Sequence, residues 1–545
     1  MISAAWLPFS ALFPLLLTAL PAVPALRRHQ LLLLPLAPLP ALAAGLLVPD
    51  GAAFTLPHAL MSSAWEMDSI GRVFQVFTAF GWFTAALFSV PYFRDHPRKG
   101  PFVIPFLIAM SGNLLLPAAA DAVTFYTGFG VMSFASWGLV VHAGTPEARR
   151  AGRVYLALVV LGELMVFPGL VKGTLWAETP LLADIRTHWA LDPDPRFQIG
   201  LIFFGFALKA GLFPFHFWLP LAHPAAPAPA SAVLSGCMIK AGLLAWLRLV
   251  PFGEFAMPGL ANTITLLAAT GMVGALLIGF TQSHPKALLA YSSLAKMGMM
   301  MLFLAPALAE PALAPLSISA VLAYAVFHAL HKSALFLGAG LTAGLNRTAW
   351  VPLILLTASF AGFPGLGGAF AKAAAKPLLD ELRTLGFAGY GPLLAGTLLT
   401  FPLMYRLVML SRPGTAEPAA TRRRQQWVWL LTVAAALLFP FWAASFQLLP
   451  AGFDPLYAFT GADAFVYGGI ALTLLMVIRK TEPPVRIPPG DLLNLIPPVP
   501  PAWRLWIFRK LRDIDDSLNR TPGGLAYLLI TLILIGLMVS TLPLP

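Results

Sequence analysis

Hydrophobic residues run continuously along most of the chain, in blocks long enough to cross a membrane. Sixteen apolar runs can be read, covering 4–26, 30–48, 73–93, 101–119, 121–143, 153–171, 197–219, 232–250, 260–280, 287–306, 315–341, 350–375, 390–410, 426–449, 462–478 and 525–544. A helix needs about 20 apolar residues to span the hydrocarbon core, whereas barrel strands alternate polar and apolar positions. The pattern therefore predicts an all-α polytopic membrane protein with 16 transmembrane helices.

The composition supports a membrane protein and excludes several kinds of cofactor and metal site. Of the 545 residues, 58% are hydrophobic and 11% are charged, against about 25% charged in ordinary soluble proteins. The single cysteine, Cys237, excludes an intrachain disulfide and any multi-cysteine metal or iron–sulfur site. The sequence also contains no glycine-rich dinucleotide loop and no nucleophile constellation. We therefore expect no cofactor, no metal and no redox chemistry in the chain itself.

The basic residues predict the orientation in the membrane. Of the 35 lysines and arginines, 22 follow odd-numbered runs, 7 follow even-numbered runs and 6 lie inside runs. Because cytoplasmic loops carry an excess of Lys and Arg, both termini are predicted on the outer face of the inner (cytoplasmic) membrane. The same asymmetry accounts for the net charge of +12 without a nucleic-acid partner.

Two connections need separate interpretation. Arg27 and Arg28 follow the first apolar run instead of preceding it, so this run is predicted to be a retained span and not a cleaved signal. The stretch 479–524 is rich in proline and then mixes apolar with basic residues. It is predicted to be cytoplasmic, either as a helix lying on the membrane surface or as a basic linker.

Five lysines lie inside apolar runs: Lys209, Lys240, Lys296, Lys332 and Lys372. A charged side chain near the bilayer centre costs about 2.5–3.5 kcal/mol on insertion scales, so these lysines should face the interior of the bundle. Lysine suits proton transfer because burial changes how readily it holds its proton. For Lys240 and Lys296, snorkelling from the end of a span is the alternative.

Two of the lysines occur where a helix should break. Lys209 is followed by Gly211 and Pro214, and Lys372 is preceded by Gly362 and Pro364. Proline removes a backbone donor, and such breaks are tolerated in membranes where they line a hydrated cavity. A matched pair of interrupted spans, the seventh and the twelfth, is typical of an inverted-repeat transporter. Two independent packing kinks are the alternative.

The eleventh run carries a histidine and lysine group. His328 and Lys332 are four residues apart and share a helix face. A zinc site needs more ligands than this face offers, so a proton relay is the preferred interpretation, with a hydrogen-bonded core histidine as the alternative. His331 lies between them. For His216 and His223, near the exit of the seventh run, a structural role is equally well supported.

Four segments together resemble one protein family. They are KAGLFPFHFWLPLAHPAAPAPASAVLSGCMIKAGLLAWLR (209–248), HPKALLAYSSLAKMG (284–298), HALHKSALFLGAG (328–340) and AGFPGLGGAFAK (361–372). This set resembles the antiporter-like proton-translocating membrane subunits of complex I, of Mrp sodium/proton antiporters and of membrane-bound hydrogenases, including formate hydrogenlyase.

The resemblance implies a 14-helix core with two inverted five-helix repeats and with helices 7 and 12 broken. The implied divisions are residues 1–100 for helices 1–3, 101–250 for the first repeat, 251–410 for the second repeat and 411–545 for the C-terminal helices. It also implies that Lys209 serves the first half-channel, that Lys372 serves the second, and that Lys240 with His328 or Lys332 connects them. His331, His216 and Lys296 would be secondary members.

The sequence departs from the family pattern at several positions. The family usually has Trp-Glu where this chain has Phe129 and Gly130, and an aspartate is common where this chain has His284. Ser235 replaces a histidine frequent in complex I, so the chain looks closer to the Mrp and hydrogenase types. Glu163 is the carboxylate well inside an apolar run, and we expect it to replace the missing glutamate as the partner of Lys209. A protonated carboxyl bonded to a backbone carbonyl is the alternative.

These observations predict a proton-translocating or cation/proton antiport subunit of a multi-subunit complex. Its expected partners are other integral membrane subunits, protons and, as an open alternative, Na⁺. The competing functions are a stand-alone secondary transporter for a small solute and a structural subunit that conducts nothing. Whether the complex is an oxidoreductase of the NADH/quinone or hydrogenase type stays open.

Overall fold

The computed structural model is mostly helical. It describes residues 3–19, 29–57, 63–94, 96, 98–192, 194–341, 347–411, 420–449 and 487–490. The predicted spans 462–478 and 525–544 lie outside these residues, as does the segment 479–524 apart from 487–490. At that short stretch, Nε2 of Gln282 donates to the carbonyl oxygen of Ile487 at 2.7 Å.

The elements before the first broken helix comprise helices and one β-hairpin. They are α1 (Trp6–Leu17), α2 (Gln30–Leu33), α3 (Leu39–Leu47), β1 (Ala52–Leu56), β2 (Ser63–Met67), α4 (Ser69–Tyr92), α5 (Lys99–Leu115), α6 (Ala122–Val140), α7 (Pro146–Ala177) and α8 (Leu182–His188). Short 3₁₀ turns occupy Leu34–Leu36 and Leu116–Ala118.

The remaining elements are helical. They are α9 (Arg196–Ala210), α10 (Trp218–Ala225), α11 (Ala228–Val233), α12 (Lys240–Leu249), α13 (Pro258–Phe280), α14 (Pro285–Leu304), α15 (Pro306–Ala309), α16 (Ala314–Ala339), α17 (Arg347–Ala361), α18 (Gly367–Ala374), α19 (Lys376–Thr384), α20 (Tyr390–Leu410), α21 (Ala420–Leu437) and α22 (Phe439–Ser445). Phe215–Phe217 and Pro311–Leu313 are 3₁₀ turns, and Leu234–Met238 is π-helical.

Eleven helices of the described residues are long and apolar enough to cross a membrane, or twelve if the bent pair α21 and α22 forms one span. They coincide with predicted runs 2 to 11 and 13, and the bent pair coincides with run 14. The first run contains only the 12-residue helix α1 among its described residues. The twelfth run contains α17 and α18, separated by a break. The chain is therefore a multi-pass membrane protein.

The prediction of an all-α fold is wrong at residues 52–67. There β1 and β2 form an antiparallel hairpin, with Ala52 opposite Met67 and Leu56 opposite Ser63. The hairpin lies in the connection between two spans, where water can satisfy backbone groups and strand edges are allowed. Alternate side chains of β2 are buried. A search for apolar runs does not reveal such a strand, because alternation lowers its mean hydropathy.

Side-chain caps fix the beginnings of the helices that surround the site. Asp68 accepts from Gly71 N at the start of α4, and Asp121 accepts from Thr124 N at the start of α6. Arg248, in the last turn of α12, donates two hydrogen bonds to Asp68, at 2.5 and 2.8 Å. The end of α12 is thereby tied to the beginning of α4.

The centre of the bundle is formed by the eighth, tenth and eleventh predicted runs. Residues 228–249 and the helix α14 are buried almost throughout, and most of α16 is buried as well. The helices α7 and α13 are more peripheral, since about two thirds of their length faces outward. Lys240 of α12, Lys296 of α14 and Lys332 of α16 therefore lie deep inside the protein, as the sequence predicted for intramembrane lysines.

Candidate functional site

Lys209 lies in the last turn of α9, where the helix breaks. Gly211 ends the helix with a φ of +73°, and a Cβ atom there would come within 2.9 Å of Leu294. Glycine fits this position because, without a Cβ atom, it adopts a positive φ readily and leaves room for Leu294. The chain resumes as a helix only at α10. The break leaves Lys209 buried, with 4% of its surface exposed.

The ammonium of Lys209 is held by Tyr155 of α7. Nζ of Lys209 donates to Oη of Tyr155 at 2.8 Å, and Oη donates to the carbonyl oxygen of Ser133 on α6 at 3.0 Å. Oγ of Ser136 also contacts this hydroxyl. The tyrosine ring packs against Trp218 of α10, with ring centroids 5.0 Å apart. Tyr155 therefore joins four helices at the lysine, although it was not among the residues predicted from the sequence.

Glu163 lies on a helix that packs directly against that of Lys209, because α7 and α9 cross at two glycines. A Cβ atom on Gly162 or on Gly205 would come within 3.0 Å of the carbonyl oxygen of the other residue. Such small residues let membrane helices approach closely. Gly162 precedes Glu163, and Lys209 lies one turn after Gly205.

The carboxylate of Glu163 is buried, with 6% of the residue exposed, and its Oε1 atom has no hydrogen-bond partner among the described residues. Lys209 and Glu163, both described, do not form a direct ion pair. A small pocket reaches the lysine and is lined by Ser133, Tyr155, Gly162, Gly205, Lys209 and Trp218. The pocket leaves space beside the lysine, and the carboxylate oxygen of Glu163 can still accept a hydrogen bond.

Lys240 begins α12 directly after the π-helical turn Leu234–Met238. Its Nζ donates to the carbonyl oxygen of Ser235 at 2.5 Å. A π-turn leaves backbone carbonyls without their usual helical partner, and the lysine satisfies one of them. Oγ of Ser235 also forms a 2.8 Å hydrogen bond with Oγ of Ser293 on α14. Lys240 is completely buried, so the alternative of snorkelling is wrong for this residue.

Lys332 of α16 is anchored to α14. Its Nζ donates to the carbonyl oxygen of Leu289 at 2.8 Å and contacts Oγ of Ser292. His328, one turn earlier, is completely buried, and neither ring nitrogen has a hydrogen-bond partner within the described part of the chain. The structure thus argues against the alternative that His328 is a hydrogen-bonded core histidine.

His331 links α16 to α17. Its Nδ1 lies 2.9 Å from the carbonyl oxygen of Phe327, and its Nε2 lies 2.7 Å from Oγ of Ser359. A carbonyl only accepts, so Nδ1 carries the proton and Nε2 accepts from the serine when the ring is neutral. A Cβ atom on Gly367, at the start of α18, would lie 3.4 Å from this ring.

Lys372 follows the second break. Gly362 follows α17 with a φ of +91°, and a Cβ atom there would come within 2.6 Å of Nζ of Lys372. Glycine therefore makes room for the lysine as well as for the turn. Nζ of Lys372 lies 5.8 Å from the ring centre of Phe401 on α20.

His216 lies in the 3₁₀ turn of the first break and is buried, with its ring stacked on Phe213 at 5.5 Å. The predicted residues therefore form two groups. Lys209 and Glu163 lie on the adjacent helices α9 and α7, while Lys296, Lys332, His328 and His331 surround the ring of Phe360. Phe360 was not predicted, because a lone phenylalanine in an apolar run gives no signal.

No group of three or more His, Cys, Asp or Glu side chains that could hold a metal ion occurs in the described ranges. The buried cations instead rely on carbonyl and hydroxyl oxygens and on aromatic rings. Several of these oxygens belong to serines of the π-turn, of α14 and of α17, which hydropathy does not distinguish from their neighbours.

Residues 119–374, which contain Glu163 and all five intramembrane lysines, match the family described as NADH:quinone oxidoreductase/Mrp antiporter, transmembrane region. Across this stretch the chain matches the family of antiporter-like membrane subunits, and the resemblance predicted from the motifs is confirmed.

Particular relatives come from more than one kind of assembly. Hydrogenase-4 component B of Escherichia coli K12 is 31% identical over 301 residues, which cover 53% of this chain and 44% of that protein. A probable K⁺/H⁺ antiporter protein of Rhizobium meliloti is 29% identical over 417 residues, covering 68% of this chain and 39% of that protein. This chain thus spans less than half the length of these two curated relatives.

The fold is shared with a solved multi-subunit membrane complex. The structure of the Mrp complex from Dietzia sp. DQ12-45-1b contains a chain that superposes with a TM-score of 0.71 at 21% sequence identity. The superposition covers 99% of this chain and 62% of that chain. At this identity the match establishes the fold of an antiporter-like membrane protein.

Proposed function

We propose that the chain is a proton-translocating or cation/proton antiport subunit of a multi-subunit membrane complex. The observation that carries this proposal is the geometry at the first broken helix. A buried ammonium, Lys209, is held by one hydroxyl next to a pocket, and a buried carboxylate on the adjacent helix α7, Glu163, presents an oxygen without a partner among the described residues. A purely structural lysine would be expected to pair directly with the carboxylate.

The first half-channel would work by exchange of partners. With Lys209 on Tyr155, as seen here, the ammonium and Glu163 are separate. Movement of the lysine towards Glu163 would stabilise its charged form, and return to the tyrosine would favour release of the proton, since an opposite charge within about 4–6 Å favours ionisation. Coupled ion transport needs such an alternation between two states.

Lys240, His328 and Lys332 are proposed to connect the half-channels. All three are completely buried. His328 has a ring nitrogen available as proton acceptor, and Lys332 lies one turn away on the same helix. Ser235, Ser292 and Ser293 line the same region on α14 and on the π-turn. Hydroxyl groups both donate and accept, so they suit a proton path.

The second half-channel is proposed to end at Lys372. Each break has an intramembrane lysine beside it, Lys209 before the first and Lys372 after the second, which supports the assignment of the two breaks to inverted repeats spanning 101–250 and 251–410. Lys296 and His331 would serve as secondary groups between Lys332 and Lys372, and His216 would act at the first break. Sixteen spans, with both termini on the outer face of the inner membrane, complete the proposed topology.

The proposed partners are other integral membrane subunits, as in the Mrp assembly with the same fold. Protons are the proposed transported ion, with Na⁺ or another cation as the exchanged species. A stand-alone solute transporter would gather polar groups at one site. The intramembrane lysines are instead distributed from α9 through α12, α14 and α16 to α18, which supports the proton-path proposal.

The test is proton transport by the intact complex in inverted membrane vesicles, driven by its own reaction or by an imposed cation gradient. Lys209→Ala and Lys372→Ala should each abolish transport while the complex still assembles. Lys376→Ala is the matched control, because Lys376 forms an exposed i,i+4 ion pair with Asp380 and lies four residues from Lys372. Full transport in both test variants would overturn the proposal.

A further inference from the structure

The ring of Phe360 lies between two intramembrane lysines. Nζ of Lys332 is 4.7 Å from the ring centre and Nζ of Lys296 is 5.6 Å from it. Phe360 is 1% exposed, and it is the penultimate residue of α17, just before the second break. One aromatic side chain thus contacts cations from both α14 and α16.

The described carboxylates that are buried lie elsewhere. Asp121 caps α6, Asp192 pairs with Lys172, and Glu163 belongs to the first half-channel. A cation in this cluster therefore depends on dipoles and on π-electrons. An ammonium over an aromatic face is attracted by the quadrupole of the ring, and the attraction is stronger where water is excluded.

The two lysines depend on the ring to different degrees. Lys332 also has the carbonyl oxygen of Leu289 and the hydroxyl of Ser292. Lys296 has the sulfur of Met299 at 3.8 Å, which is only a weak acceptor. Two ammonium groups close to one ring repel each other. The arrangement therefore favours one charge at a time, and the ring supports whichever lysine carries it.

We propose that Phe360 is a positioning residue shared by Lys332 and Lys296, which stabilises the charged form of one lysine at a time and so carries the proton path from the central group towards Lys372. This inference rests on the proposed function. It adds Phe360 to the proposed proton path and places Lys296 in that path next to Lys332. Because Phe360 adjoins Gly362, movement at the second break would shift the ring relative to both lysines.

The ring is held in place by other aromatic groups. Phe327 stacks on Phe360 with ring centroids 5.8 Å apart, and the His331 ring lies 6.2 Å away. A change of electron density in the ring, with little change of size, therefore tests the cation interaction without disturbing this packing. Fluorinated phenylalanines provide such a series, since each added fluorine weakens the quadrupole.

The experiment replaces Phe360 by mono-, di- and trifluorophenylalanine in the intact complex and measures proton transport in vesicles across a pH series. Each fluorine should lower the rate, and the pH of half-maximal transport should move downward in steps. Phe360→Leu should be at least tenfold slower, and Phe360→Trp should retain more activity than leucine. The same fluorinated series at Phe303, which packs edge-on against Tyr324, should change nothing.

A flat response to fluorination at Phe360, with Lys209→Ala and Lys372→Ala inactive, would overturn this inference and leave the proposed function standing. Normal proton transport by Lys209→Ala and Lys372→Ala would instead show that the proposed function is wrong. A decline of equal size at Phe303 and Phe360 would show a general packing effect and would also overturn the role of Phe360.

Discussion

A Cβ atom added to Gly130 would lie 3.9 Å from Oε1 of Glu163. The carboxylate carried by α7 thus occupies the space into which a side chain at position 130 of α6 would project. In the family that this chain resembles, position 130 usually carries the glutamate that partners the lysine of the seventh span. The neighbouring helix supplies a carboxylate at nearly the same place.

Glu163→Gln should therefore inactivate proton transport, because the amide cannot become the anion that stabilises charged Lys209. The double variant Gly130→Glu with Glu163→Gln should regain part of the rate, since the carboxylate returns to the same space. Proton transport by assembled complex in vesicles is the measurement.

Glu147→Gln, at the exposed beginning of the same helix, is the control and should transport normally. If Glu163→Gln also transports at the normal rate, the compensation hypothesis is wrong, and a structural role without conduction becomes the better interpretation. A double variant as inactive as Glu163→Gln would instead show that position 163 has a geometric requirement that position 130 cannot meet.

The sequence shows that Glu163 lies well inside an apolar run. Its rotation about the helix axis could not be predicted in the same way, since rotation depends on the crossing of α7 and α9 at Gly162 and Gly205. The structure supplied that information. It also showed that Lys209 contacts Tyr155 instead of pairing directly with Glu163.

Tyr155 shows why the uncharged partners of the lysines could not be predicted from the sequence. A tyrosine in an apolar run adds no charge and breaks no periodicity, so it differs little from the core aromatics around it. The serines that hold Lys240 and Lys332 are inconspicuous for the same reason. The lysines and the two breaks, in contrast, place charged or helix-breaking residues within apolar spans, where such residues are rare. They can therefore be recognised from a single sequence.

Tyr155→Phe should slow proton transport about tenfold or more, because a hydrogen bond to a charged group contributes about 1.5–3 kcal/mol. The substitution removes only the hydroxyl that accepts from Lys209. Tyr324→Phe, which removes the hydroxyl of another buried tyrosine, is the matched control. An unchanged rate in Tyr155→Phe would mean that Lys209 does not need this partner during the cycle.

His142, between α6 and α7, should make the protein sensitive to mild acid. Burial, together with the nearby His96 and Arg98, lowers the pKa of His142 from 6.5 to about 4. The unfolded chain therefore binds a proton here at a higher pH than the folded protein does. Stability contributed by the neutral ring is complete above pH 6.5 and is lost as the pH falls towards 4.

Thermal unfolding in detergent, measured across that pH range, checks this expectation. His142→Phe should flatten the decline, since phenylalanine fits among Phe93 and Phe102 and does not titrate. His188→Phe, at the end of α8, should leave the decline as it is. An unaltered pH profile in His142→Phe would assign the acid sensitivity to other groups.

Two exposed positions on opposite predicted faces allow the orientation to be tested with cysteines. Leu191, between the sixth and seventh predicted runs, is 70% exposed, and Arg424, near the beginning of α21, is exposed as well. The native Cys237 is buried and should not react. The 22-to-7 asymmetry of basic residues predicts that Leu191 lies outside and Arg424 in the cytoplasm.

A membrane-impermeant maleimide should therefore label Leu191→Cys in intact cells and Arg424→Cys only after lysis. The unsubstituted protein, with Cys237 alone, is the control for background labelling. Labelling of Arg424→Cys in intact cells, with Leu191→Cys protected until lysis, would invert the topology. The faces at which Lys209 and Lys372 exchange protons with water would then be inverted as well, because both breaks are fixed within the same bundle.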